Sequence, residues 1–331
     1  MAFGDPSNPT RFGRGQSAPP NDRALFLDVF GGEVLAAFEQ ANIFEPYIRT
    51  LRISGGMRSA RFPKTWKATA EYHQPGQELL GNTIDTGEII ITPDELLVSH
   101  VAVSDIDEML SHFEVRSRFA AELGAALARV HDQNIARALV LAARTPADGP
   151  FPSGAQVVDP ALAPNAAGVY DGQAIVQAIR AANRIFYDRD VPESYRRYCA
   201  LPRPAFDALR FAVDPAGRYL FVERDFGATQ TFSERRMMLE VDGVSVMPTK
   251  HVPSTNQSTD TSIYSKYRAN YTNTRGIVWC EDAVGAVTLR APTLETTRDV
   301  RRQETFMVAS LLSGLGTLRP ECAVELRSAA L

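Results

Sequence analysis

Cysteine is nearly missing from this chain of 331 residues. Cys199, Cys280 and Cys322 are odd in number and widely spaced, and no Cys-x-x-Cys pair occurs. That excludes a disulfide framework and a Cys-based zinc site, so three reduced thiols are expected. Histidine is scarce as well: His73, His100, His112, His131 and His251 are the five, and none stands in an HExxH or similar metal spacing. There is no G-x-S-x-G elbow and no G-x-x-x-x-G-K-[ST] loop. Gly314-Leu315-Gly316 begins like a dinucleotide loop, but Arg319 stands where the third glycine belongs and no βαβ unit follows. Cys199, between Tyr198 and Ala200, lacks the surroundings of a thiol enzyme. The carboxylate pairs Asp105/Asp107 and Glu321/Glu325 read as helix-capping and solvated groups. Catalysis has no motif to stand on, so no catalytic residue, metal or cofactor is expected.

Charge of one sign is lacking too. Lys and Arg number 35 against 39 Asp and Glu, for a net charge of -4. Chains that grip nucleic acid are usually basic, which excludes avid binding of that kind. Long apolar runs are absent: the uncharged stretch 306–318 is too short to span a bilayer. The first 20 residues are rich in Gly, Pro, Ser and Asn without an apolar core, so no signal peptide is expected.

Several elements are nevertheless strongly marked. A helix starts near Asn21 or Asp22, either of which can cap it. Phe26, Phe30, Val34 and Phe38 recur every fourth residue and form one apolar ridge. Gly31 and Gly32 each weaken it by about 1 kcal/mol, so the helix needs another surface. Asp28, Glu33 and Glu39 on its polar face argue against a membrane, which favours Lys and Arg there. Residues 49–103 read as β-rich, with strands over 51–53, 58–62, 69–72, 88–92 and 96–103. Within them, 58–88 is poor in apolar residues and carries Arg58, Arg61, Lys64 and Lys67, with Trp66 among them. A long basic hairpin without a core of its own implies a partner surface.

A long helix over 105–144 is the clearest element. Ser104 is its expected cap, and Asp105, Asp107 and Glu108 suit the positive N-terminal end. Ile106, Met109, Phe113, Ala120, Leu123, Leu127, Val130, Ile135, Leu139 and Ala142 keep helical spacing up to Arg144, and Pro146 stops the run. Its spacing is not a strict heptad, which favours a spine over a coiled coil. Residues 145–170 read as a Pro/Ala/Gly linker. A second helix follows, capped by Asp171, with Ile175, Ile179, Ala182 and Phe186 on one face. Residues 254–274 read as an exposed polar loop, and 276–280, 286–289, 307–312 and 322–326 as strands of one closing sheet.

Five stretches resemble the major capsid proteins of short-tailed (podovirus or autographivirus type) double-stranded-DNA phages. They are the helix Ala24-Leu25-Phe26-Leu27-Asp28-Val29-Phe30-Gly31-Gly32; the hairpin with Ser59-Ala60-Arg61-Phe62-Pro63 and Tyr72-His73-Gln74-Pro75-Gly76; the 105–137 stretch with Val115-Arg116-Ser117 and Glu122-Leu123-Gly124; Val191-Pro192 with Arg196-Arg197-Tyr198; and Gly285-Ala286-Val287 with the ending Gly316-Thr317-Leu318-Arg319-Pro320-Glu321.

The resemblance implies an α+β chain with the tailed-phage capsid fold, also seen in herpesvirus shells. Its parts would be an N-terminal arm (1–48), an extended β-hairpin E-loop (49–104), a P-domain spine helix and linker (105–170), an A-domain (171–284) and P-domain return strands (285–331). It further implies a non-enzymatic subunit that self-assembles as hexamers and pentamers into an icosahedral shell around the genome. The expected partners are other copies, a scaffolding protein, the portal, packaged double-stranded DNA on the inner face without sequence specificity, and a decoration protein, but no membrane. The place is the virion, and the host cytoplasm during assembly. The mild negative charge suits a surface lying beside packed DNA without sticking to it.

The contact residues singled out are Phe26, Phe30, Val34, Phe38, Arg58, Arg61, Lys64, Trp66, Lys67, Asp105, Asp107 and Glu108. The basic hairpin residues are expected to meet the acidic helix start on a neighbour. The alternatives are an encapsulin-type compartment of the same fold and, remotely, a hydrolase built around His73, His131 or Cys199.

Overall fold

A computed structural model describes residues 37–38, 42–54, 57–65, 68, 70, 72–73, 76, 78, 81, 83–104, 115–149, 151–212 and 239–329. It is a mixed helix-and-sheet chain whose strands form three sheets among the described residues. The chain divides into two compact units, Met1–Asn42, Asp94–His131 and Leu289–Ser313 in the first, and Ile43–Pro93, Asp132–Thr288 and Gly314–Leu331 in the second.

The long helix α1 (Val115–Arg144) contributes residues 115–131 to the first unit and 132–144 to the second. In the first, Ala120, Leu123, Leu127 and Ala128 are buried against Phe38, Met307, Ala309 and Leu311. In the second, Ile135, Ala136, Ala138, Leu139, Val140, Ala142 and Ala143 are all buried, and so are the polar Asp132 and Arg137. A helix buried over so much of its surface lies inside its unit. The expected cap Ser104 is the last residue of a strand over Leu97–Ser104, and 105–114 lie outside the described residues.

In the first unit, strand β4 (Leu97–Ser104) pairs antiparallel with β11 (Glu304–Thr317). In the second, β1 (Arg49–Arg52) pairs in parallel with the start of β10 (Val284–Asp299). The sheet order is β1-β10-β11-β4. At 16 residues, β10 is about 50 Å long. The expected strand over 286–289 is only the first part of it, and Pro292 follows. In the structure Pro292 lies beyond 285–288, where β1 pairs, so its missing N–H leaves no ladder bond to β1 unmade.

The second unit is built on a six-stranded mixed sheet of order β5-β12-β9-β6-β8-β7. Its strands are β5 (Ala155–Val158), β6 (Arg197–Leu201), β7 (Leu239–Val241), β8 (Val244–Pro248), β9 (Thr274–Cys280) and β12 (Ala323–Arg327). The expected closing sheet is therefore split, with β9 and β12 in this sheet and β10 and β11 in the other. The supposed linker also holds a strand, since β5 pairs in parallel with β12.

Helices α2 (Gly172–Asp188) and α3 (Arg203–Arg210) belong to this unit. Asp171 caps α2, its carboxylate accepting from the Gln173 N–H at 2.9 Å. Gly172 lets the two helices meet, because a Cβ there would lie 2.2 Å from the Ala208 carbonyl oxygen. Gly172→Ala is expected to destabilise the unassembled subunit by about 1–3 kcal/mol, read as a lower urea midpoint. At the centre, Trp279 is wholly buried between Phe44 at 5.5 Å and Tyr198 at 5.9 Å, and its indole N–H donates to the Tyr47 carbonyl at 3.1 Å.

The 254–274 loop is less exposed than its composition implies. Tyr267 and Tyr271 are buried, and the Tyr271 hydroxyl donates to the Tyr267 carbonyl at 2.7 Å. The glycines resembling a dinucleotide loop lie inside β11. A Cβ at Gly314 would strike the Thr92 carbonyl oxygen at 2.2 Å, and one at Gly316 would strike the Ile91 side chain. They are small because another segment passes closely, not because a phosphate is bound.

Candidate functional site

The hairpin β2 (Ala60–Thr65) and β3 (Thr86–Ile91) forms a two-stranded sheet by itself. Only its roots are buried: Ala60 opposes Ile91, and none of the strand residues between them is buried on either side. Ile91 packs over Gly285 and Gly316, which fixes the base. A hairpin of this kind is anchored at one end and buries no face of its own. The strand expected over 69–72 is not seen at its described residues, Ala70 and Tyr72.

The basic side chains of the hairpin are spread over both faces. Arg58 is exposed. Arg61 donates to both carboxylate oxygens of Glu88 at 3.3 Å, with each side chain more than half exposed. Lys64 is held more firmly. Its ammonium lies 2.7 Å from the Asp148 carboxylate and 4.0 Å from the centre of the Phe151 ring, and its side chain is only 22% exposed. Phe38 is buried, with its ring 6.0 Å from His131. Phe26, Phe30, Val34, Trp66, Lys67, Asp105, Asp107 and Glu108 lie outside the described residues. The structure thus brings Arg61 and Lys64 to acids of their own chain, and the Asp148–Phe151 clamp gave no signal inside a segment that read as linker.

Of the residues of the hydrolase alternative, His73 is exposed, and Cys199 and His131 are buried. Cys199 lies inside β6, wholly buried, and burial pushes its thiol pKa well up, so it keeps its proton. His131 is buried, and burial lowers its imidazole pKa to about 4. The Ser313 hydroxyl lies 3.3 Å from its Nδ1. Cys280 and Cys322 are buried free thiols like Cys199.

Sequence reading also missed a buried ion network. Glu325 and Glu321 had read as solvated, yet both are buried. Glu325 on β12 takes two bonds from the Arg144 guanidinium, at 2.8 and 2.7 Å, and a third from the Thr274 hydroxyl at 2.5 Å. Arg327 reaches it at 3.4 Å. Glu321 pairs with Arg319 at 2.9 Å. Asp132 of α1 is likewise buried and accepts the Ile43 and Phe44 N–H groups at 2.5 and 3.2 Å. These groups lock the chain ends of the second unit to α1. They form an architectural core.

A model of the Gp10A-like family, described as major capsid protein, matches residues 61–327. The chain belongs to this family. The major capsid protein of Enterobacteria phage T3 is 28% identical over 344 aligned positions, covering 95% of this chain and 94% of that one. Among solved structures, the capsid of the cyanophage P-SCSP1u shares 34% identity and a TM-score of 0.70, over 97% of this chain and 98% of that one. The virus-like particle from Pyrococcus furiosus matches with a TM-score of 0.55 at 11% identity, which shows the fold alone. This member of the family therefore has the tailed-phage capsid fold and the role of a phage major capsid protein, a structural subunit of the virion shell. The encapsulin alternative is not favoured, since kinship in sequence runs to phage capsid proteins.

Proposed function

We propose that this capsid protein assembles as hexamers and pentamers into a closed icosahedral shell around packaged double-stranded DNA. A scaffolding protein guides assembly in the host cytoplasm, and the portal occupies one vertex. The observation that carries the reading is the β2–β3 hairpin, which buries only its roots and so leaves its faces for neighbouring subunits. In this reading the arm is 1–48, the E-loop 49–104, the spine helix and linker 105–170, the A-domain 171–284 and the return strands 285–331. Electron microscopy of the chain co-expressed with candidate scaffolding protein tests it. Closed shells of uniform diameter are expected, and a discrete small oligomer under every condition would overturn it.

Within that shell, Arg58, Arg61, Lys64 and Lys67 meet the acidic stretch Asp105, Asp107 and Glu108 of a neighbour. The intrachain pairs of Arg61 and Lys64 are partly exposed, worth about 0.2–1 kcal/mol each, so their loss leaves the subunit folded. Reversing both charges, Arg61→Glu with Lys64→Glu, is expected to cut shell yield severely while circular dichroism of the subunit stays unchanged. Shells at normal yield would reject this contact.

A further inference from the structure

The two ends of α2 carry complementary surfaces. At its N-terminal end two clefts share Tyr170 and Pro204. One, of about 420 Å³, is lined by Arg203, Lys250 and Arg275 and by no acidic side chain. Arg203 is already answered by Asp207 at 3.1 Å. Arg275 has its Nε buried without a hydrogen-bond partner, and a buried guanidinium N–H left unpaired is costly. The N-terminus of α3 opens on the same cleft, with Pro202 at its cap position, and the helix dipole adds positive partial charge there.

The other cleft, of about 490 Å³, is mostly apolar, with Val169, Ala208, Phe211 and Ala212 in its wall. Val169 is 58% exposed and Phe211 is 68% exposed. Its two acids are engaged within the chain, Asp171 as the α2 cap and Asp207 with Arg203.

At the C-terminal end of α2, about 25 Å away along the helix, the chain presents the opposite set. Tyr187 is 69% exposed. Next to it Asp188 is exposed and closes the helix, and Glu193 is exposed on the turn that follows. An acid in the last helical turn opposes the helix dipole, so Asp188 is badly placed for the isolated subunit. An aromatic ring adjoining two acids at one end matches an apolar cleft adjoining a cationic one at the other.

We infer that the 187–193 turn of one subunit seats in the paired clefts at the start of α2 of the next copy, Tyr187 in the apolar cleft and Asp188 and Glu193 against Lys250 and Arg275. Two different patches at opposite ends of one helix make a head-to-tail contact, which closes into a ring where the rotation between copies divides a full turn. The inference rests on the shell reading above and names a contact that would run around each hexamer and pentamer. Because every subunit uses both patches, a ring of n copies repeats the contact n times. The small gain of a single partly exposed ion pair is multiplied accordingly.

Charge reversal tests it from both sides, with the unaltered chain assembled in parallel. The turn variant Asp188→Lys with Glu193→Lys is decisive for the fold, since a lysine at a helix C-terminus suits the dipole and leaves the subunit folded. Its shell yield is expected to fall at least tenfold. Lys250→Glu with Arg275→Glu is expected to fall similarly, and a chain carrying all four substitutions is expected to recover most of the yield. Normal shells from either pair, or no recovery in the fourfold variant, would overturn the contact. Shells of normal yield that package less DNA would also overturn it, and would assign the cationic cleft to phosphate. If the unaltered chain forms no shells, the shell reading fails instead.

Discussion

Glu325→Ala is expected to destabilise the unassembled subunit by about 3–5 kcal/mol, enough to leave little of it folded at physiological temperature. Glu325 has no exposed surface, and the two arginines facing it are 10% and 3% exposed. Removing the carboxylate strands both guanidinium groups where water cannot replace it. It also takes the acceptor from the Thr274 hydroxyl. Three segments meet at this one side chain, the end of α1 through Arg144, the start of β9 through Thr274 and strand β12 itself, and Arg144 in turn holds the Asn270 carbonyl at 2.8 Å. The exposed pair Arg61–Glu88 is the control, and Glu88→Ala should cost at most about 1 kcal/mol. Urea denaturation of both variants checks the contrast. The subunit must be kept unassembled, because packing into shells would raise apparent stability by mass action. Equal midpoints for the two variants would mean that the buried network contributes no more than a surface pair.

That network marks where sequence stopped being informative. Local patterns placed most of the elements. The helical apolar spacing, with Arg144 and Pro146, gave α1 its C-terminal end, and Asp171 gave α2 its start, because caps and amphipathic periods are written in neighbouring residues. Partnership at long range is not written that way. Glu325 and Arg144 are 181 positions apart, and nothing near either distinguishes a solvated charge from a buried one. The same holds for Asp132, whose position in the helix gives no sign of burial, yet it tethers Ile43 and Phe44 nearly 90 positions away. Strand β5 was invisible for a related reason. Four residues between glycines and prolines carry no alternation, and only the pairing with β12 makes them a strand.

The proposed contact surface was legible only in part. The basic hairpin stood out because its apolar content is too low for its length, and the structure places its strand residues in the open between buried roots. The clamp of Lys64 on Asp148 and Phe151 did not stand out, since it joins the hairpin to a segment with no pattern of its own. The complementary ends of α2 were hidden by composition. Lys250, Arg275 and Arg203 come from three separate segments and become one cleft only in the folded unit. Surfaces made by assembly of distant segments are the part of a shell protein that a single sequence shows least.

Acid is expected to weaken the first unit through His131. Burial beside Phe38 holds its imidazole neutral in the folded chain down to about pH 4, whereas in the unfolded chain it takes up a proton near pH 6.5. Between those values the unfolded state binds more protons, so stability falls as pH drops through the window and levels off below it. Above about pH 6.5 the group contributes no slope. The full penalty approaches about 3 kcal/mol, since each unit of displacement is worth about 1.4 kcal/mol. Exposed carboxylates add their own acid dependence, so the measurement is a difference: urea midpoints of the parent and of His131→Gln, followed from pH 7.5 to pH 4. The variant is expected to be less stable than the parent at pH 7.5, because an amide replaces a ring that packs against Phe38, and to close that gap progressively as the pH falls. Parallel curves across the whole range would show that His131 accepts its proton in the folded chain, and that the core around Phe38, Leu127 and Met307 is open to water.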